Sequence, residues 1–276
     1  MRLCASTYSF GKYAANGFFY MADKAKEMGY DGIEIVPGSF ENSTDIEFAK
    51  KCALYCKDIG LEITAVCTGA DLLSDTEGQV QKLCRDIDLC HAYTAGIMRH
   101  DVAYGSPLSY EKCLPVLAGA CKRVAEYAKG LGIRTCTENH GFFSQDSQRV
   151  ESLVNEVDCE NFGLLIDVGN FLCADEEPTV AVGRLAKYAF HVHCKDFYVK
   201  SGCEIDPGQG WFRSRAGNYL KGTVVGYGNA HAPQSLGILK RAGYDGPISV
   251  EFEGAEDNLF GLQAGIENVK RFWSMF

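Results

Sequence analysis

The 276-residue sequence predicts one α/β domain, a (β/α)8 barrel spanning residues 1–276. Three observations predict it. The length is close to the roughly 250 residues that one such barrel uses. Short apolar, β-branched segments alternate with longer stretches of helical period. The joints between them repeat one plan, in which a glycine closes a helix just before a strand.

In chain order, the first strand is expected at Leu3–Thr7. It runs into Ser6-Thr-Tyr-Ser-Phe-Gly11, which lacks the Gly-x-Gly-x-x-Gly that an open doubly wound sheet offers there. Glu27-Met-Gly-Tyr-Asp-Gly-Ile leads into a second strand, Gly32–Val36. Asp58-Ile-Gly-Leu-Glu-Ile leads into a third, Leu61–Thr68, and a fourth follows at Gly96–Asp101. Leu117, Cys121, Val124, Ala125, Ala128 and Leu131 form one apolar stripe, the mark of a helix that Pro115 starts or kinks. Gly130-Leu-Gly-Ile-Arg then opens the fifth strand, Ile133–Asn139. The sixth and seventh are Gly163–Asp167 and Phe190–Asp196. From 197 to about 231 a long loop is expected. Loops of that length are usually functional or disordered, and Trp211, Phe212, Arg213 and Arg215 favour an ordered lid or wall over the site. Arg241-Ala-Gly-Tyr-Asp-Gly-Pro-Ile opens the eighth strand, Pro247–Glu253. Leu262, Ile266, Val269 and Trp273 stripe the closing helix. Four such joints argue for repeated βα units and a parallel sheet.

The formal charge of −9 repels phosphate backbones, and no long Lys/Arg run offsets it, so nucleic acid is not expected as a partner. None of the 13 cysteines forms a Cys-x-x-Cys pair; the closest, Cys52 and Cys56, sit at helical spacing. With no apolar signal segment ahead of the first strand, reduced, buried thiols in a cytoplasmic protein are expected. No apolar run approaches the roughly 20 residues of a membrane span.

Barrel active sites lie at the C-terminal ends of the strands. Strand five ends Cys136-Thr-Glu138-Asn-His140 and strand six Leu165-Ile-Asp167. Strand seven carries His191-Val-His193-Cys-Lys195, and strand eight Ser249-Val-Glu251-Phe-Glu253. Four successive strands thus bring Glu138, Asp167, His193 and Glu251 to one rim. Charges at apolar strand ends are costly unless paired or bound to a cation. A single divalent ion is the simplest common partner. The mainly oxygen donor set suits Mn²⁺, Mg²⁺ or Co²⁺, with Zn²⁺ the softer option.

Val124-Ala-Glu-Tyr-Ala-Lys-Gly-Leu-Gly-Ile-Arg-Thr-Cys-Thr-Glu-Asn-His-Gly141, His191-Val-His-Cys-Lys-Asp196, and Gly226-Tyr-Gly228 followed by Gly243-Tyr-Asp-Gly-Pro-Ile-Ser-Val-Glu251 resemble segments of the xylose-isomerase-like barrels. These include sugar and sugar-phosphate isomerases and epimerases, inosose dehydratases and apurinic endonuclease relatives. The resemblance implies Glu138, Asp167, His193 and Glu251 as metal ligands, with Glu138 and Glu251 also the catalytic acid/base pair. The implied partner is a small carbohydrate. A metal that chelates a ketose carbonyl and the adjacent hydroxyl acidifies the C–H between them and stabilises an enediolate. Two carboxylates on opposite sides of that plane remove and return the proton.

Further substrate-binding candidates are His140, Lys195, Arg99, Glu34, Trp211 and Arg213. Lys195 shares strand parity with His193 and either enters the mouth or pairs with a carboxylate. His140 either orients a ligand or touches substrate. Glu34 and Arg99 either bind a hydroxyl or pair with another charge. Gly226-Tyr-Gly228 reads as a turn rather than a phosphate cradle. Two positions depart from the family pattern. Asn170 stands where relatives have the His of Asp-x-x-His, and Val199 where ketose epimerases tend to have an Arg.

The leading functional expectation is a divalent-metal-dependent, manganese-type isomerase or epimerase of a sugar or sugar phosphate. The alternative is a lyase or dehydratase on an inosose or keto-sugar, keto-glycosides included, using the same metal site. A non-catalytic sugar-binding barrel and an apurinic endonuclease rank below both. The aromatic-rich segments Tyr8–Tyr20 and Trp211–Tyr227 are candidate contacts with a second copy of the chain.

Overall fold

A computed structural model describes residues 1–276. Eight parallel strands close into a barrel in the order β1 (Arg2–Ser6), β11 (Pro247–Val250), β7 (Ala189–Cys194), β6 (Phe162–Asp167), β5 (Arg134–Glu138), β4 (Ile97–His100), β3 (Glu62–Thr68) and β2 (Gly32–Ile35). The helices that connect them pack outside: α1 (Phe18–Glu27), α2 (Ile46–Ile59), α3 (Thr76–Ala92), α4 (Tyr110–Lys129), α5 (Ser147–Val157), α6 (Pro178–Leu185), α7 (Ala232–Arg241) and α8 (Asn258–Ser274). No helix is long and apolar enough to cross a membrane.

Local chemistry explains where the elements begin and end. Asp45, Asp75, Asp146 and Asp257 precede α2, α3, α5 and α8, and each side chain accepts an otherwise unpaired first-turn amide. At the predicted joints Gly29, Gly60, Gly132 and Gly243 all take positive φ, where a Cβ would be strained. α4 starts upstream of Pro115 and runs through it, so this proline does not open the helix.

Two separate cores follow from strand alternation. One side of each strand faces the helices and joins a 66-residue core. The other side faces the barrel axis, where Ala65, Cys67, Ile97, Cys136 and Leu165 form a small plug. Residues of the same parity as the plug but further along each strand reach the C-terminal mouth. Twelve of the thirteen cysteines are buried or half-buried, and Cys203 alone is exposed; no disulfide forms.

The connection after the seventh barrel strand differs from the expected long loop. It folds as a three-stranded antiparallel sheet of β8 (Asp196–Lys200), β9 (Phe212–Arg213) and β10 (Tyr219–Thr223), in the order β8-β10-β9. Two devices fasten it to the barrel. The buried Asp196 carboxylate accepts the amides of Phe197, Gly226, Gly228 and Ala230 at 2.8–3.1 Å. Those bonds make Gly226-Tyr-Gly228 a turn around an internal anion. Gly222 of β10 lies so close to the Glu253 backbone that a Cβ would strike its carbonyl.

Candidate active site

The mouth is a cavity of about 250 Å³, lined by charged and polar groups including Arg99, Glu138, His193, Lys195 and Glu251. Cys136 and Leu165 belong to the plug, and the residues two positions on are Glu138 and Asp167. The same alternation carries His191, His193 and Lys195 inward from β7, and Ser249, Glu251 and Glu253 from β11 and its extension. One ligand atom from each of Glu138, Asp167, His193 and Glu251 lies within 4.8 Å of the others. His193 Nδ1 is 3.8 Å from Glu138, 3.9 Å from Asp167 and 3.3 Å from Glu251.

Two of these atoms, Asp167 Oδ2 and His193 Nδ1, are buried and have no hydrogen-bond partner, and beside them Glu251 Oε2 is met by the Lys195 ammonium at 2.7 Å. Buried polar atoms are almost always satisfied, so unpartnered donor atoms on Asp167 and His193, within a cluster of carboxylates, suit a bound cation. The rest of each side chain is fixed. The Asp167 Oδ1 atom accepts the amides of Gly169 and Asn170, both at 2.8 Å, which leaves Oδ2 aimed at the cluster. Asn170 Nδ2 donates to Glu138 Oε1 at 2.8 Å, and Arg99 holds Glu138 Oε2 at 2.6 Å. His193 Nε2 donates to Glu34 at 2.7 Å, which frees Nδ1 for the cluster. A divalent ion fits this donor set.

The charges press on one another. Burial, together with Glu138 and Glu251, raises the Asp167 carboxyl to about 7, against the pull of Lys195. Burial also disfavours the Glu251 carboxylate, but Lys195 at 2.7 Å and His193 hold its pKa well below the usual range. The Lys195 ammonium, desolvated yet beside Glu251, Glu253 and Asp167, is held well above its ordinary pKa. It spans Asp167 at 3.7 Å and Glu253 at 3.3 Å, a network in which no carboxylate lacks a cation.

The other expected residues divide. Arg99, His140 and Lys195 line the cavity. Glu34 does not, and the expectation that it meets substrate is corrected. It is fully buried and accepts from His191 at 2.6 Å, from His193 and from Ser249 at 2.9 Å. The physical reason is register: Glu34 pairs with Ala65, whose small side chain opens room below the mouth. Burial opposes its ionisation, and the imidazoles of His193 and His191 override burial and hold its pKa far down. Trp211 and Arg213 are corrected as well. Trp211 packs under Lys200, and Arg213 lies over the Tyr219 ring with a 2.6 Å bond to its hydroxyl, so neither lines the mouth. Between them Phe212 points the other way, into a side cavity, as alternation along β9 requires. Arg215 turns outward to Asp146 at 3.1 Å, and no guanidinium from this segment stands in for the arginine missing at Val199.

Two mouth residues, Glu253 and Tyr8, and Asp101 just behind the mouth were not among the expected site residues. Asp101 takes hydrogen bonds from Arg99 at 2.7 Å and Tyr104 at 3.2 Å, and its Oδ1 lies 2.9 Å from His140 Nδ1. Its signal was present, since it lies two positions beyond Arg99 at the end of the fourth strand. Glu253 repeats the parity of Glu251. Tyr8, beside Glu253 after β1, was expected only as part of the Tyr8–Tyr20 contact with a second copy, not in the mouth.

Comparison with known proteins now bears on this geometry. No curated protein matches the sequence. Solved structures match its shape. The IOLI protein, crystallised with a zinc atom, superposes with a TM-score of 0.82 at 15% identity, over 100% of this chain and 99% of that one. A probable 3-DHS dehydratase, AsbF from Bacillus anthracis, gives 0.78 at 17% identity over 98% and 99%. An L-ribulose 3-epimerase gives 0.74 at 15% identity over 99% and 95%. At such identities the likeness concerns the fold alone. The family profile described as xylose isomerase-like TIM barrel matches residues 22–272, nearly the whole chain, and this protein therefore belongs to the xylose isomerase-like TIM-barrel family.

Proposed function

We propose that this barrel is a divalent-metal-dependent isomerase or epimerase of a sugar or sugar phosphate, which moves a proton on the carbon next to a carbonyl. The observation that carries the reading is the convergence of Glu138, Asp167, His193 and Glu251, with buried atoms of Asp167 and His193 left unpartnered. Metal-bearing and sugar-processing proteins of the same fold, the zinc-containing IOLI structure and the L-ribulose 3-epimerase, support it. When bound, a divalent ion polarises a carbonyl and its neighbouring hydroxyl.

The chain's own residues do the remainder. Glu138 comes from β5, whereas Glu251 follows β11, and three barrel positions separate those strands. The two carboxylates therefore approach a substrate in the cavity from different sides, one to take a proton and the other to return it. Arg99 orients Glu138, and Lys195 keeps Glu251 ionised and able to accept. Arg99, Lys195 and His140 offer donors to hydroxyl groups along the mouth.

A lyase acting on an inosose or other keto-sugar through the same cluster is the second reading. One observation favours it. Asn170 occupies the place of the family's substrate-binding histidine, and it spends its amide on Glu138. The grip that the epimerase resemblance implies is thus incomplete.

Two measurements test the proposal. Metal analysis of protein purified without chelator is expected to give about one ion per chain, lost in His193→Ala and Glu251→Gln. NMR in D2O with keto-sugars is expected to show metal-dependent exchange of the α-proton. Loss of water or of a glycosidic substituent in every turnover would transfer the assignment to the lyase. No metal uptake from added Mn²⁺ or Co²⁺ would defeat both readings.

A further inference from the structure

A second cavity of about 180 Å³ opens off the first, and the two share His140, Lys195 and Glu253 as a common border. One side of it is apolar, built from Phe142, Phe197, Phe212, Cys173 and Gly141, and Gln145 and Asn170 add polar groups. Phe197 is a buried floor, and the Phe212 ring stands edge-on to it at 5.5 Å. Phe142 and Phe212 are 45% and 41% exposed and belong to no hydrophobic core. Burial therefore does not account for either ring.

Phe142 is also held against its own preference. Its φ is +60°, a left-handed conformation that bulky residues rarely adopt. The turn is secured from both sides. The Phe142 amide donates to Gln145 Oε1 at 2.6 Å, and its carbonyl accepts from Arg215. The buried Gln145 in turn donates to the carbonyl of Asn170, whose side chain holds Glu138. An aromatic ring kept in a strained turn, facing a cavity, indicates a binding role rather than a packing one.

The size is informative. A cavity of about 150 Å³ with apolar walls holds one benzene ring. The side cavity is of that volume, with an aromatic wall on one side and, on the other, the polar border it shares with the main cavity. We propose that the side cavity is a subsite for an aromatic ring carried by the substrate, so that the preferred substrate is an aryl-substituted keto-sugar, such as an aryl keto-glycoside, for which plain aryl glycosides are non-reacting binding probes. This inference rests on the sugar-processing reading of the main cavity. The sugar lies among Arg99, Glu138 and Lys195, and the ring enters between Phe142 and Phe212.

The test compares phenyl and methyl glucopyranosides, both anomers of each, by calorimetric titration of the intact protein in Mg²⁺, with phenol as a control. In the wild type a phenyl glucoside is expected to bind about tenfold more tightly than its methyl counterpart, the scale of one well-placed ring contact plus its buried area. Phe212→Ala and Phe142→Gly are each expected to shrink that ratio several-fold while leaving methyl glucoside binding unchanged. Gly suits the positive φ at 142, so a folding defect does not confuse the result. Equal affinities in the wild type, binding of neither glucoside, a preference that survives both substitutions, or phenol binding as tightly as phenyl glucoside would each overturn the proposal. The isomerase reading fails on a different result, the absence of α-proton exchange in any keto-sugar, which glycoside binding does not measure.

Discussion

Glu34 accepts the Nε2–H of His193 at 2.7 Å from beneath the mouth, and so turns the other ring nitrogen, Nδ1, toward the three carboxylates. Glu34 itself lies outside the cavity. It acts through the imidazole, fixing its tautomer and orientation.

Removing that acceptor charge is therefore expected to weaken metal binding without touching a ligand. Glu34→Gln should lower the affinity for Mn²⁺ or Zn²⁺ by about 10–100-fold, the usual cost of losing a carboxylate behind a ligating histidine. Competition against a fluorescent chelator measures it. An unchanged affinity would remove Glu34 from the positioning role.

Lys195 makes a thermodynamic prediction. In the absence of metal its ammonium is the cation nearest Glu251, at 2.7 Å, and it also faces Asp167 and Glu253. Lys195→Met removes the nearest compensating charge from that buried acidic group, and breaking a buried pair typically costs about 3–5 kcal/mol. The metal-free variant should melt well below the metal-free wild type. Saturating Mn²⁺ should stabilise the variant more than the wild type, because the ion replaces the lost charge. Equal metal-induced shifts in melting temperature would contradict this account.

His100, which is not part of the cluster, supplies a pH dependence of stability. It is fully buried, with Nδ1 2.8 Å from the Asp101 carbonyl and Nε2 unpartnered. Burial, assisted by Arg99, lowers its pKa to about 4. An unfolded histidine titrates near 6.5. The folded pKa is the lower one, so its stabilising contribution is complete above about 6.5 and is lost as the pH falls through 6.5 toward 4. The loss is on the order of 3 kcal/mol. Urea unfolding from pH 7.5 to 4 should show a steeper fall for the wild type than for His100→Asn. Parallel curves would show that His100 does not titrate in this way.

Gly222→Ala tests how the three-stranded sheet is seated. The added methyl meets the Glu253 carbonyl, backbone against backbone, and cannot be relieved by rotating a side chain. Overpacking of this kind costs about 1–3 kcal/mol, and calorimetric melting should report it. A melting temperature equal to the wild type's would mean that β10 shifts freely.

Much of this architecture was legible in the sequence. The glycine joints at 29, 60, 132 and 243 announced the βα repeat because a left-handed helix end leaves a chemical mark. Glu138, Asp167, His193 and Glu251 were readable together because parallel strands present their last polar residues to one rim. What escaped depends on closure. Glu34 looked like a rim residue from its place in its own strand, yet its partner in the next strand is Ala65, and only the closed barrel sets it under two histidines. The β8–β10 sheet escaped because β8 and β10 pair residues 19–27 apart, and because Gly222 interrupts the pattern of β10. Within it, the side facing the cavity was misassigned by one residue, from Phe212 to its neighbours Trp211 and Arg213. A one-residue step reverses the face of a strand.

The thiol distribution has a practical consequence. Burial pushes Cys4, Cys52, Cys56, Cys136 and Cys173 up to about 12, so at neutral pH these groups are almost wholly protonated and poor nucleophiles. Cys203, in the segment between β8 and β9, is the single exposed sulfur. A maleimide dye is therefore expected to react first at Cys203, ahead of the half-buried Cys84 and Cys159, on the sheet whose next strand carries Phe212. The native molecule comes with its own reporter position for watching that sheet respond when a ligand arrives.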